Sequence, residues 1–484
     1  MSASWPGLLL ALALPWIIGA LWLRLLLPQR LPVGGTAIVL GYGYLGGMMG
    51  LAALMLAMDA LGLGVGFGPV AFSMFMLGLP AGWLLWRRGR PDPAAAAYDA
   101  SGALNNRSLS NAWSSQPRWP LALSAALLLL VMARFLSLTL EVLWQPLYPW
   151  DAWMSWSWVA RQWFEMGALG DIAPTRHPRT VPLLQTWTAM AWGHWHDTVI
   201  NLPWVLAGIA LVLGIYGQLR HIGSEPLLAL LAVYLVASLP LLNNHIALAG
   251  YADIWLTLAF TLGLIALANA MVSAERWQWT LAVVCLALTL AIKVSAPLYL
   301  VPLAAALFLY LAPRWLSVGA ITLAAVFAVT VYLAGGIDLH LGPLGRLALT
   351  TEHMELPLVG SGGIRAGHER GLQTYTPVGW AFAQSLFVLG NWHLLWWVAL
   401  FLPLGLFSNA LRRSPYTVLT LTLAGVVAIF WLAYGFSDHG GAQDFTSINR
   451  MLLGVAPVIS FSLFWALAYL RTQRDPRADR RQRR

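Results

Sequence analysis

One carboxylate stands in a dense run of aromatic residues at Tyr148-Pro149-Trp150-Asp151-Ala152-Trp153-Met154-Ser155-Trp156-Ser157-Trp158. Tryptophan and tyrosine favour the boundary between lipid and water, where an apolar ring and a polar N–H or O–H are both satisfied. An ionised carboxylate there loses solvation unless it has a cationic partner or a task. The chemistry it offers is proton acceptance, which places Asp151 as a candidate general base. Pro149 fits the first turn of a helix. The spacing then sets Trp150, Trp153, Trp156 and Met166 along one face. Asp151 would sit in that first turn, where pairing with the helix dipole is the plainer role. Glu165 follows Arg161 by four residues, a spacing that suits an ion pair on the polar face. Such a helix would lie along a membrane surface rather than cross it.

Other residues could complete a site. Thr175-Arg176-His177-Pro178-Arg179-Thr180 breaks regular helix at its proline and offers His177 with two arginines. A guanidinium presents planar, multi-donor contacts to phosphate, so Arg176 and Arg179 are candidate phosphate ligands, with lipid headgroups as the alternative partners. Asp253, in Gly250-Tyr251-Ala252-Asp253, opens an apolar run, where it could also cap a helix. Lys293 interrupts another run with no further charge between Arg276 and Arg314, and Arg450 begins the last run. Both are candidate phosphate ligands, against snorkelling or headgroup contact. Asp438 and His439 read as solvated loop residues or as hydrogen-bonding ligands. His353, His368, Glu352, Glu355 and Glu369 are too irregularly spaced for a dedicated metal site.

These residues must be positioned by membrane helices. Hydrophobic residues make up 59% of the chain and charged ones 10%, far below the roughly 25% charged of a soluble domain. Apolar runs of the ~20-residue length that crosses a bilayer fall near 8–27, 37–62, 68–86, 120–140, 202–218, 225–243, 250–271, 277–292, 295–312, 315–334, 386–408, 415–434 and 449–470. The expected fold is therefore an all-α, polytopic transmembrane bundle of about thirteen spans. The run at 8–27 is too long for a signal-peptide core and is expected to be a retained helix. With the tail on one side, every alternate loop on that side is basic, carrying Arg30, Arg87/Arg88/Arg90/Arg107/Arg118, Arg220, Arg276, Arg314 and Arg412/Arg413 in turn. The positive-inside rule then puts the C-terminus in the cytoplasm and the N-terminus outside.

That count defines the segments: additional N-terminal helices at 1–90, a Pro/Ala/Ser/Asn linker at 91–119, and a core at 120–334 with an outer loop at 141–201. An outer loop at 335–385, C-terminal helices at 386–470 and a basic tail at 471–484 follow. The outer loop 141–201 contains nine of the 27 tryptophans. The tail supplies +5 of the net +9 charge and reads as an anchor on anionic headgroups; without a basic folded domain it argues against nucleic acid. The lone Cys285 rules out an intrachain disulfide.

Four of these pieces together resemble the GT-C superfamily of membrane glycosyltransferases, in particular bacterial members related to the protein mannosyltransferase (family 39) group. They are Pro149-Trp150-Asp151-Ala152-Trp153, His177-Pro178 with Pro182-Leu183-Leu184, Gly250-Tyr251-Ala252-Asp253, and Thr289-Leu290-Ala291-Ile292-Lys293. The resemblance covers roughly residues 120–300 and departs at Arg179, where related sequences often have aspartate. It implies a multi-pass protein of the bacterial inner membrane with interfacial helices in its outer loops. The implied reaction moves a sugar from a polyprenyl-phosphate donor to an acceptor at the periplasmic face. Asp151 would be the base, with His177, Arg179, Asp253, Lys293 and Arg450 as substrate ligands. A divalent metal, held by Asp151 and Asp253, is a candidate cofactor. Transporters or flippases of lipid-linked glycans, and ligases or polymerases of the O-antigen type, are the competing classes.

Overall fold

The structure, a computed structural model, describes residues 4–89, 119–170, 177–248, 250–340, 342, 346–350, 354–355, 375–436, 439–445 and 447–474. Arg176, Glu352, His353, His368, Glu369 and Asp438, most of the 91–119 linker and most of the basic tail lie outside the described residues.

The described chain is a helical bundle. In order come α1 (Trp5–Leu26), α2 (Gly35–Ala60), α3 (Phe67–Arg88), α4 (Trp119–Trp144), α5 (Trp158–Met166), α6 (Thr180–Trp192), α7 (Leu202–His221), α8 (Pro226–Ala237) and α9 (Pro240–Ala247). There follow α10 (Asp253–Ser273), α11 (Arg276–Ile292), α12 (Pro297–Leu311), α13 (Arg314–Leu333), α14 (Tyr416–Phe436), α15 (Ile448–Leu453) and α16 (Ala456–Arg474). Among the described residues nine helical segments are long and apolar enough to cross a membrane. They contain α1, α2, α3, α4, α7, α10, α13, α14 and α15 with α16, and the pair α8–α9, bent by 63°, makes a tenth if taken as one span. The runs expected at 277–292 and 295–312 are shorter helices, α11 and α12. The run expected at 386–408 is broken into a π turn, a five-residue helix at Leu395–Ala399 and a 3-10 turn at Leu402–Phe407. Pro403 within that last turn removes a backbone donor that a continuous helix would need. The expected outer loop at 335–385 contains an antiparallel sheet in which Gly336–His340 pairs with Arg346–Thr350.

Helices dominate because a bilayer offers no partner to a backbone N–H or C=O, and a helix satisfies both internally. α10 is the axis of the bundle, buried from Asp253 through Ala270. A closed polar network binds it to its neighbours. Gln218 on α7 donates to Tyr42 Oη on α2 at 2.9 Å, and Asn269 on α10 donates to Gln218 Oε1 at 2.7 Å. Gln278 on α11 donates to the same oxygen at 2.8 Å, and Trp465 on α16 donates to Asn269 Oδ1 at 2.9 Å. Close approach replaces hydrophobic drive where helices meet in lipid. At Gly41 a Cβ would lie 2.6 Å from both the Ala210 carbonyl oxygen and the Gly214 nitrogen of α7, so α2 packs on α7 backbone to backbone.

The N-terminal helices also reach the segment that carries the outer-loop residues. Trp187 Nε1 on α6 donates to the Ala11 carbonyl at 2.9 Å, and the Phe67 ring meets Trp187 at 4.7 Å between centroids. The bundle thus has two chemically distinct ends. Arg88, Arg220, Arg276 and the α1–α2 connection gather at one end. The start of α10, the end of α11 and the start of α15 gather at the other.

Candidate functional site

Four charged side chains form a continuous chain at that second end. Nη1 of Arg450 donates to Oδ2 of Asp151 at 2.5 Å, and its Nη2 donates to Oδ2 of Asp253 at 3.3 Å. Lys293 Nζ donates to the other oxygen of Asp253 at 2.6 Å. The outer half is open and the inner half buried: the Asp151 side chain is 49% exposed and Arg450 17%, against 2% for Asp253 and 5% for Lys293. Two carboxylates and two cations balance, as buried charge requires. Among the described residues Asp151 Oδ1 carries no hydrogen bond.

Each member is placed by a local feature of the sequence. Asp151 lies in the first turn of a helix running from Trp150 to Met166, and the Pro149 carbonyl accepts the Trp153 N–H at 2.9 Å. That helix is not regular α throughout, because Ala152–Ser157 is a π turn. The wider turn changes the expected aromatic face. Trp150 and Trp153 are exposed, while Trp156 is buried. The three tryptophans therefore do not share one surface. A π turn inserts a residue, so positions after it are rotated relative to a continuous 3.6-residue repeat. Arg161 and Glu165 do form their ion pair, at 2.7 Å on an exposed face.

Gly250 brings the second carboxylate to the first. Its φ of +83° is left-handed, and a Cβ there would lie 3.0 Å from Ala152 Cβ and Leu147 Cδ1. Only glycine meets both demands without strain. Three residues on, Asp253 opens α10 with no capping bond from its side chain, so its role is the ion pair. Lys293 is the C-cap of α11 in an extended conformation. It is buried on Asp253 rather than snorkelling to water, and this commitment leaves Arg450 as the more accessible cation. Thr180 Oγ1 donates to the Ala291 carbonyl at 2.6 Å, fastening the start of α6 to the end of α11.

His177 precedes that fastening and stacks on Trp156, with centroids 4.3 Å apart and planes 23° apart. Burial first, and then the nearby Lys293 ammonium, push its pKa down to about 4. The imidazole is neutral at neutral pH, and its Nδ1 is buried without a hydrogen-bond partner among the described residues. Arg179 stands half-buried at the N-cap of α6, two residues beyond.

Two contributors carry no individual assignment from sequence. The guanidinium of Arg450 lies over the Tyr251 ring, 4.2 Å from its centroid. His245 also packs on that ring, with centroids 5.5 Å apart, and its Nε2 is buried without a hydrogen-bond partner among the described residues. Tyr251 lies inside the Gly250–Asp253 motif, and its aromatic type two residues before an acid was the available signal. His245 gave none, since only the bend at α8–α9 brings it near. Arg450 itself is held through its neighbour Asn449, whose Oδ1 accepts from Ser385 Oγ at 2.5 Å. Arg450 Nε remains buried without a hydrogen-bond partner among the described residues.

The arrangement offers a half-exposed carboxylate for proton transfer, a partly exposed guanidinium for an anion, and a neutral histidine. Asp151 and Asp253 are already bridged by Arg450, and no group of three or more His, Cys, Asp or Glu is placed to hold a metal among the described residues. No family model matches the chain, and no curated protein or solved structure matches it.

Proposed function

We propose that this protein is an integral-membrane glycosyltransferase of GT-C-like architecture that takes a sugar from a polyprenyl-phosphate donor. Counting the bent pair and the three shorter apolar segments, the chain would cross the bilayer about thirteen times. The arginine-bearing end faces the cytoplasm in this reading, and the Asp151 end faces the periplasm. The observation that carries the proposal is the charge chain from half-exposed Asp151 through Arg450 to buried Asp253 and Lys293. It lies at helix ends, where a lipid phosphate sits, rather than at mid-membrane, where a transport pathway places its charges.

In the reaction, the acceptor hydroxyl oxygen bonds to the anomeric carbon as the bond from that carbon to the phosphate oxygen breaks. The bonding electrons leave with the carrier phosphate, and the hydroxyl proton passes to Asp151. Arg450 meets the charge that develops on the departing phosphate. Asp253 and Lys293 hold Arg450 in place from behind. His177 on Trp156 offers an uncharged hydrogen-bonding group to a sugar hydroxyl.

The test is direct. Purified protein is incubated with polyprenyl-phosphate sugars and candidate acceptors, and released polyprenyl phosphate is measured. Release that is acceptor-dependent and abolished in Asp151→Asn supports the reading. Transmembrane movement of an intact lipid-linked sugar, without release, would replace it with transport.

A further inference from the structure

The arginine-bearing end contains a second charged feature, remote from the Asp151 chain. A cleft of about 460 Å³ opens between the end of α1, the end of α3 and the start of α11. Arg88 and Arg276 line it from two different helices, with Gln29 and Thr280 as further polar groups and Leu25 and Trp277 as apolar wall. We propose that this cleft binds the phosphate headgroup of an anionic phospholipid, which fills the seam between the N-terminal helices and the core.

Among the described residues that line it, the cleft holds two cations and no acid. Arg276 is the first residue of α11, whose first turn contains no acid and whose N-cap makes no side-chain bond. The positive end of a helix dipole and a guanidinium therefore coincide, an arrangement that favours an anion. The N-cap residue, Glu275, shares a hydrogen bond with His221 Nε2 at 2.8 Å and is not among the residues that line the cleft. The Arg276 side chain makes no ion pair or hydrogen bond among the described residues. Arg88 spends Nη1 on the Leu25 carbonyl at 2.6 Å, a bond that turns its guanidinium to the cleft rim and leaves further donors. Arg24 is folded back onto the Pro28 carbonyl at 2.7 Å and onto the Gln29 carbonyl, which shapes the rim.

Chemistry and location select the occupant. Two guanidinium groups suit a phosphodiester, which takes several N–H donors at once. The walls are leucine and tryptophan, and Leu26 beside them is exposed on the side of a spanning helix. An acyl chain can follow that wall, whereas free phosphate gains nothing from it. Basic pockets between membrane helices are the form that anionic headgroup sites take.

The full-length protein, purified in detergent and stripped of lipid, provides the test. Its melting temperature is measured with phosphatidylglycerol, phosphatidylcholine or inorganic phosphate added. Phosphatidylglycerol should raise it by several degrees, and Arg276→Gln should remove most of that rise. Arg276→Gln breaks no ion pair or hydrogen bond among the described residues, so its melting temperature without lipid should match wild type. The combination with Arg88→Gln should abolish the rise. Equal shifts with phosphatidylcholine, an equal shift with inorganic phosphate, or a rise retained in the double variant would each overturn the proposal. The outcome is independent of glycosyl transfer, since no turnover is measured.

Discussion

Arg450 holds Asp151 by Nη1 at 2.5 Å, although the Asp151 side chain is half exposed to solvent. A proposed base is thus paired with the cation proposed to receive the donor phosphate. Carboxylate and phosphate would compete for one guanidinium. Asp151→Asn should therefore lower turnover by about 10²-fold or more, as for loss of a general base. The same variant should bind polyprenyl phosphate several-fold more tightly, because a competing anion is gone. Weaker binding to the asparagine variant, measured by calorimetry in detergent, would refute the competition.

Tyr251 supports the face of that guanidinium. A cation over an aromatic ring is stabilised by about 0.5–2 kcal/mol. Replacing the ring by leucine should weaken polyprenyl-phosphate binding by roughly 2- to 30-fold. Tyr251→Phe keeps the ring and should remain within about twofold of wild type. If phenylalanine and leucine are equally damaging, the hydroxyl rather than the ring is what matters.

The Lys293–Asp253 pair is a matter of stability before chemistry. Lys293→Met leaves a buried carboxylate with Arg450 alone, at 3.3 Å. Breaking a buried pair on one side costs about 3–5 kcal/mol, while replacing both partners by apolar groups costs far less. Thermal unfolding in detergent should show a large loss for Lys293→Met and substantial recovery when Asp253→Leu is added. Turnover should not recover with it, since Arg450 then loses its inner anchor. Equal melting temperatures for Lys293→Met and wild type would rule the pair out.

His177 predicts a pH effect. Its folded pKa of about 4 lies below the ordinary histidine value of ~6.5. The unfolded chain therefore binds the proton more readily between those values. Stability is fully present above about pH 6.5 and declines as pH falls toward 4. His177→Phe should flatten that decline while leaving stability near pH 8 little changed. A decline of equal slope in His177→Phe, followed by thermal unfolding from pH 4 to 8, would assign it elsewhere.

Much of the site is legible in sequence because charge is rare in such a chain and therefore conspicuous. Asp253, Lys293 and Arg450 each mark the boundary of an apolar run and Asp151 lies in the loop that follows one, so counting runs brings them toward one face. Their pairing is not legible. Whether Lys293 faces a phosphate or Asp253 depends on how α11 lies along α10, and that follows from packing over the whole helix. The Trp150–Trp153–Trp156 face fails for a related reason. A fixed 3.6-residue repeat contains no term for a π turn, and Gly250, which lets the chain pack against that turn, is a hundred residues away. The apolar run at 386–408 is long enough to span, yet composition does not register the interruptions at Asn391, His393 and Pro403, where His393 adopts a φ of +50°.

The π turn at Ala152–Ser157 has a mechanical meaning beyond its hydrogen bonds. It works as a phase shifter between two surfaces read by one helix. Before it Asp151 addresses the open side; at its end Trp156 and Ser157 address the packed interior, where Ser157 Oγ donates to Gln185 Oε1 at 3.0 Å. Removing one residue from this turn would restore an ordinary repeat and swing the two surfaces out of step by about 100°, one residue's rotation. The aromatic cluster around Asp151 is then an indexing device, and its length in residues matters as much as its composition.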